Sequence, residues 1–173
     1  MNRCSWLAGL VALVLVTGVG ADEKAKPKSP ALEQLKNLAG TWVQADDKGQ
    51  PTDKVVSVYK VTSAGSAVQE TIFPGTDHEM VSVYYMNGPT LEMTHYCALG
   101  NQPHVKLDPA SPKGRLDFKF AGGTNLDPAK DMHMHEGSIK IVDHDHIEWN
   151  WQGWQDGKPA EGHKVQMKLV RKK

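Results

Sequence analysis

Five side chains that could bind a metal or react chemically fall at alternating positions of predicted β-strands. His95 and Cys97 are two residues apart, His133 and His135 are two residues apart, and His163 lies on a third strand. Because successive side chains of a strand point to opposite faces, residues two apart share a face. Imidazole nitrogen and thiolate sulfur are good ligands for zinc, copper or iron, and a single histidine can hold a haem iron. These five residues are therefore candidates for an interior site.

The segment that carries the first pair alternates clearly between apolar and polar residues. Leu91, Met93, His95 and Cys97 fall on one face, and the charged Glu92 falls on the other. Because apolar faces of strands are normally buried, the pattern predicts that His95 and Cys97 point inward beside Met93. At about 7 Å apart along one strand, they are too distant to form a nucleophile–base pair with each other.

The second pair opens a predicted β-hairpin whose turn is centred on His144. In this register Ile141 lies opposite Ile147, and Ile139 lies opposite Trp149. Both strands then bury the same face, which a shift of one residue would reverse.

Continuing the alternation turns His133, His135 and Trp151 inward. His135 is predicted to lie opposite Gly153, whose missing side chain leaves space, and the methionine between the two histidines is predicted to point outward. On the last strand the same reasoning turns His163 inward. The predicted pocket combines these polar residues with apolar walls formed by Met93, Phe118, Phe120, Trp149 and Trp151.

Three interpretations of the inward histidines stay open on the residues alone. His95, His133 and His135 could share a transition metal, or one of them could bind a haem iron. A neutral imidazole could instead anchor an organic ligand inside the pocket. The third interpretation is an ordinary buried histidine that is hydrogen-bonded to tyrosine, indole or water.

Composition and the N-terminal segment predict a single exported domain. The 173-residue chain has a formal net charge of zero, which argues against nucleic acid or an anionic membrane as its main partner. Residues 1–21 have the features of a secretory signal peptide, with an apolar run too short for a comfortable membrane span. Residues 22–30 have the composition of a flexible linker. Residues 31–173 form the predicted periplasmic or secreted domain, in which Cys97 is the single cysteine.

The rest of the chain predicts an all-β domain preceded by a short helix. Pro30 suits a first helical turn, and Leu32, Leu35 and Leu38 recur three residues apart before Gly40. Short alternating segments follow, separated by turn residues at regular spacing. About eight to ten antiparallel strands of this kind favour a single closed up-and-down β-barrel.

A short helix followed by Gly40-Thr41-Trp42 at the first strand resembles the lipocalin and wider calycin barrels. The resemblance implies that Trp42 plugs one end of the barrel and packs against Arg171 on the last strand. The segment from Thr94 to Pro103 is similar to one in small exported bacterial proteins of unknown function with this fold. The lipocalin disulfides and long C-terminal helix have no counterpart in the sequence, so the resemblance implies the barrel but no particular ligand.

These patterns together predict an exported β-barrel that binds a small molecule, either apolar or haem, in a histidine-containing pocket. A metal-dependent enzyme that uses the inward histidines is one alternative. A structural exported domain with no interior ligand is another. The residues identify neither the ligand nor the oligomeric state.

Overall fold

The computed structural model describes residues 29–173. The predicted signal peptide, residues 1–21, lies outside the described residues, and so does the predicted linker apart from residues 29 and 30. Within the described range, no helix is both long enough and apolar enough to span a membrane.

One helix and ten strands close into a barrel. Helix α1 spans Pro30–Lys36, and the strands are β1 Gly40–Ala45, β2 Pro51–Thr62, β3 Ala67–Ile72, β4 Met80–Asn87, β5 Thr90–Tyr96, β6 Gln102–Leu107, β7 Arg115–Thr124, β8 His133–Ile141, β9 His146–Gln155 and β10 Lys158–Arg171. Each strand pairs antiparallel with the next along the chain, and β10 closes the barrel against β1. The prediction of an all-β, up-and-down barrel with a short N-terminal helix is confirmed, and the architecture is consistent with a lipocalin- or calycin-like fold.

One end of this barrel is closed by α1 and the start of β1. Leu32, Leu35 and Leu38 are buried and pack with the barrel core. Trp42 is fully buried, and its indole Nε1 donates a hydrogen bond to the carbonyl oxygen of Leu38 at 2.8 Å. The short helix is therefore held by packing, since seven residues would not form a stable helix alone.

Arg171, at the end of β10, covers the Trp42 ring. Its guanidinium carbon lies 4.5 Å from the ring centroid. Nη1 donates to the carbonyl oxygen of Ala39 at 2.7 Å, and Nη2 donates to that of Asn37 at 2.9 Å. The arginine thus combines a cation–π contact with hydrogen bonds to carbonyl groups that follow the helix.

The β8–β9 hairpin has the predicted register near its turn. Ile139 lies opposite Trp149, and Gly137 lies opposite Trp151. A Cβ atom at Gly137 would lie only 2.1 Å from the Trp151 ring. The indole therefore occupies the space that any other side chain at position 137 would need.

Towards the start of β8 the predicted register is wrong by one residue. Glu136 pairs with Gln152 and Met134 pairs with Gly153, so His135 is an extra residue between them. The predicted pairing of His135 with Gly153 is wrong because this β-bulge shifts the register by one residue. The alternation of apolar and polar residues in the sequence does not show where a bulge inserts an extra residue. Met134, predicted to point outward, packs against the core.

Candidate functional site

A cavity of about 290 Å³ lies at the end of the barrel farthest from α1, which we call the open end. Leu99 in its lining is 61% exposed, whereas His95 is only 4% exposed, so the cavity runs from the surface into the interior. Its volume is close to the lower limit of about 300 Å³ for typical ligand pockets. The lining residues are Ile72, Phe73, Met80, Ser82, His95, Cys97, Leu99, Met132, His133, Met134, Trp149, Trp151, Gly153, Gly162, His163 and Val165.

His95 is buried at the cavity wall, and only one of its two ring nitrogens forms a hydrogen bond within residues 29–173. Its Nδ1 shares a hydrogen bond of 2.9 Å with Ser82 Oγ, directly across the β4–β5 ladder. Nε2 has no hydrogen-bond partner among the described residues. Burial lowers the pKa of His95 to about 4, so the imidazole is neutral at physiological pH.

His133 and His135 form a separate pair beside the cavity. Nδ1 of His133 lies 2.8 Å from the carbonyl oxygen of Asp131, and its Nε2 lies 2.9 Å from Nδ1 of His135. Both ring nitrogens of His133 are therefore engaged. The His135 ring stacks between Phe120 and Trp154, with centroids 4.7 Å and 3.8 Å away. Burial is the main cause that lowers the pKa of His135, and the neighbouring His133 lowers it further.

A buried carboxyl group that is not among the predicted site residues lies on β3, the strand next to that of Ser82. Glu70 is fully buried and lies directly opposite Ser82 in the β3–β4 ladder. Ser57 Oγ donates to one carboxyl oxygen, and Tyr84 Oη donates to the other at 2.7 Å. Burial raises the pKa of Glu70 above its ordinary value.

A signal for Glu70 was present in the sequence, because the residue falls on the face of β3 that also carries Val68 and Ile72. A charged residue between two apolar residues on a buried face needs hydrogen-bond partners. Its partners come from β2 and β4, which only the closed barrel brings together.

Two tryptophans of the cavity lining have indole N–H groups without a partner in the part of the chain that the structure describes. Trp149 and Trp151 both line the cavity and are 4% and 7% exposed. Their Nε1 atoms are buried and have no hydrogen-bond partner within residues 29–173. An unpaired buried donor costs roughly 1–3 kcal/mol. Since neither Nε1 atom has appreciable accessible surface, a molecule in the cavity does not contact these two donors.

The structure does not bring the three predicted metal ligands into one group. His133 contacts His135, whereas His95 is bonded to a serine of β4. Among residues 29–173, no three His, Cys, Asp or Glu side chains are grouped closely enough to hold a metal ion. A metal at His95, His133 and His135 stays a prediction, as does haem binding.

The predicted pocket residues divide into two sets. Six of them line the cavity, namely His95, Cys97, His133, His163, Trp149 and Trp151. The other four, Met93, Phe118, Phe120 and His135, are not in its lining. Met93 and Phe118 are core residues, and His163 is an exposed residue at the rim. Alternation selected the correct face for most of these residues, but it did not give their height along the barrel.

The cavity lining lacks the residue types that carry a full charge at neutral pH. None of the lining residues is Asp, Glu, Lys or Arg. The lining residues with polar side-chain groups are Ser82, His95, Cys97, His133 and His163, together with the indoles of Trp149 and Trp151.

No protein-family model matches this chain, and no curated protein matches it either.

Proposed function

We propose that this protein binds a small, mostly apolar organic molecule in the cavity at the open end of the barrel. The observation that carries the proposal is the cavity itself, which reaches the surface and is lined by methionine, tryptophan and aliphatic side chains. The mouth of a β-barrel is a common position for small-molecule sites. Burial of apolar ligand surface against these walls would supply most of the binding free energy.

Binding accounts for His95 better than acid–base catalysis does. A general base is most effective when its pKa lies near the working pH. The pKa of His95, about 4, makes it a weak proton acceptor at neutral pH. Its hydrogen bond to Ser82 holds the ring in place, which suits a fixed contact to a ligand.

Titration with N-phenyl-1-naphthylamine, a neutral apolar dye whose fluorescence rises when it leaves water, tests the proposal. We expect saturable binding to one site. Cys97→Trp adds an indole at a half-buried position of the cavity lining and is expected to weaken binding at least tenfold.

The matched control is Val142→Trp, which adds the same indole in the β8–β9 turn at the other end of the barrel, where Val142 is 51% exposed. This variant should bind the dye like the parent protein. Absence of saturable binding to the parent, or equal weakening in both variants, would contradict a site in the cavity.

Export is a separate part of the proposal and rests on residues 1–21 alone. A binding protein outside the cytoplasm would meet its ligand in the surrounding medium. Cell fractionation, combined with determination of the N-terminal residue of the purified protein, tests this part. Retention in the cytoplasm with an intact N-terminus would refute export but would leave ligand binding in the cavity untouched.

A further inference from the structure

Resting on the proposed function, we infer that the bound molecule is uncharged and presents a carbonyl or hydroxyl oxygen to Nε2 of His95. The inference specifies the class of ligand. It follows from the absence of Asp, Glu, Lys and Arg in the cavity lining and from the hydrogen bonds that its histidines already make.

The lining offers no Asp, Glu, Lys or Arg side chain that could form an ion pair with a charged ligand. It contains no lysine or arginine to neutralise a carboxylate or phosphate, and no aspartate or glutamate to neutralise an amine. A charged group that enters this cavity loses its hydration and forms no ion pair in return. Anions and cations of otherwise suitable shape should therefore be rejected.

Nε2 of His95 is the histidine nitrogen that remains available deep in the cavity. Nδ1 of the same ring is bonded to Ser82. Both nitrogens of His133 are engaged by Asp131 and His135, so that ring has no nitrogen left for a ligand. His163 is exposed at the rim, where water can hydrogen-bond to its ring nitrogens.

The geometry of the His95–Ser82 pair allows two kinds of ligand oxygen. When the Ser82 hydroxyl donates to Nδ1, Nε2 carries the proton and can donate to a carbonyl oxygen. When Nδ1 carries the proton, Nε2 can accept from a hydroxyl group. In both cases the imidazole is neutral, in agreement with the effect of burial on His95.

Three probes of equal chain length test the inference, namely 2-octanone, octanoate and octylamine. At pH 7 the first is neutral, the second is an anion and the third is a cation. Binding to the parent protein is measured by isothermal titration calorimetry. We expect 2-octanone to bind at least tenfold more tightly than either ion.

The outcomes separate this inference from the proposed function. If octanoate or octylamine binds as tightly as the ketone, the inference is wrong although the cavity still binds ligands. If neither the dye nor any of the three probes binds, the proposed function itself fails.

His95→Phe tests the role of the imidazole. This substitution keeps an aromatic ring and removes the ring nitrogens, so we expect the preference for the ketone over octanoate to fall about tenfold. His144→Phe, in the β8–β9 turn at the other end of the barrel, where the side chain is 80% exposed, is the control and should keep the preference of the parent protein. Circular dichroism establishes that both variants are folded. An unchanged preference in folded His95→Phe would overturn the assignment to His95.

Discussion

At one end of the barrel the space between the strands is filled by Trp42 and α1, whereas at the other end the same strands enclose a cavity. Trp42 and Arg171 at the closed end have hydrogen-bond partners within the chain. At the open end, Nε2 of His95 has no partner among residues 29–173. Trp42 and Arg171 thus hold the closed end together, while the open end leaves a histidine nitrogen available for a bound molecule.

The same contrast separates two buried titratable groups on β3 and β5, the strands on either side of β4. Glu70 is surrounded by hydroxyl groups of Ser57 and Tyr84, which satisfy both carboxyl oxygens. His95 has one satisfied nitrogen and faces the cavity. Burial favours the neutral form of both groups, so Glu70 retains its proton more strongly and His95 loses its proton more easily than in water.

The largest expected effect comes from removing the plug of the closed end. Trp42→Ala should lower the free energy of unfolding by about 3–5 kcal/mol, because a fully buried indole leaves a cavity and Arg171 loses its aromatic partner. Urea denaturation measures the loss. Trp154→Ala, at a partly exposed position of the open end, is the matched control and should cost clearly less. Equal losses would contradict the difference between the two ends.

A smaller loss of stability is expected when the pH is lowered, because His95 at the open end is buried in its neutral form. The unfolded state binds a proton at His95 near its ordinary pKa of 6.5, whereas the folded state does so only near pH 4. Between these values the unfolded state holds more protons, so stability rises with pH and falls as the solution is acidified. The loss from pH 6.5 down to pH 4 should be on the order of 3 kcal/mol.

Denaturation of the parent protein and of His95→Phe across this range isolates the contribution of His95. The variant should lack that part of the pH dependence, whereas His163→Phe should retain it. A slope that is the same in the parent and in His95→Phe would show that His95 is not held neutral by burial.

The smallest effect at a fixed pH is expected for Glu70→Gln, because the amide keeps the size of the side chain and one acceptor oxygen. At pH 4.5 the variant should lie within about 1 kcal/mol of the parent protein. Above the ordinary pKa of 4.5, the folded parent holds a proton on Glu70 that the unfolded chain has released. Its stability therefore falls as pH rises until the raised pKa is reached.

Denaturation from pH 4.5 upward should thus show the parent losing stability relative to Glu70→Gln. The direction is opposite to that expected for His95. Ser138→Ala, on β8 away from Glu70, is a control that should follow the parent curve. A parent protein that gains stability relative to Glu70→Gln with rising pH would mean that Glu70 is ionised in the folded state.

The alternation of side chains predicted most of this fold. It identified the strands, the closed barrel and the register near the β8–β9 turn, where Ile139 lies opposite Trp149. It also placed His95 on a buried face, as the structure does. These features depend on neighbouring residues in the chain, and a two-residue period is visible in any sequence that buries one face of a sheet.

The composition of the site was decided by contacts between strands. The bulge at His135 shifts the ladder by one residue, brings Met134 to the cavity and leaves His133 bonded at both nitrogens. The carboxyl oxygens of Glu70 have hydrogen-bond donors only because β2 and β4, which carry Ser57 and Tyr84, lie on either side of β3.

The sequence by itself therefore determined which face of each strand is buried, because that choice is local. Only the tertiary structure decided which buried residues lie at the same height along the barrel. Height depends on the register accumulated over all ten strands and on each bulge between them, and no single segment carries that information. For this reason His95 lies at the cavity with Ser82, while Met93, two residues away on the same face, is part of the core.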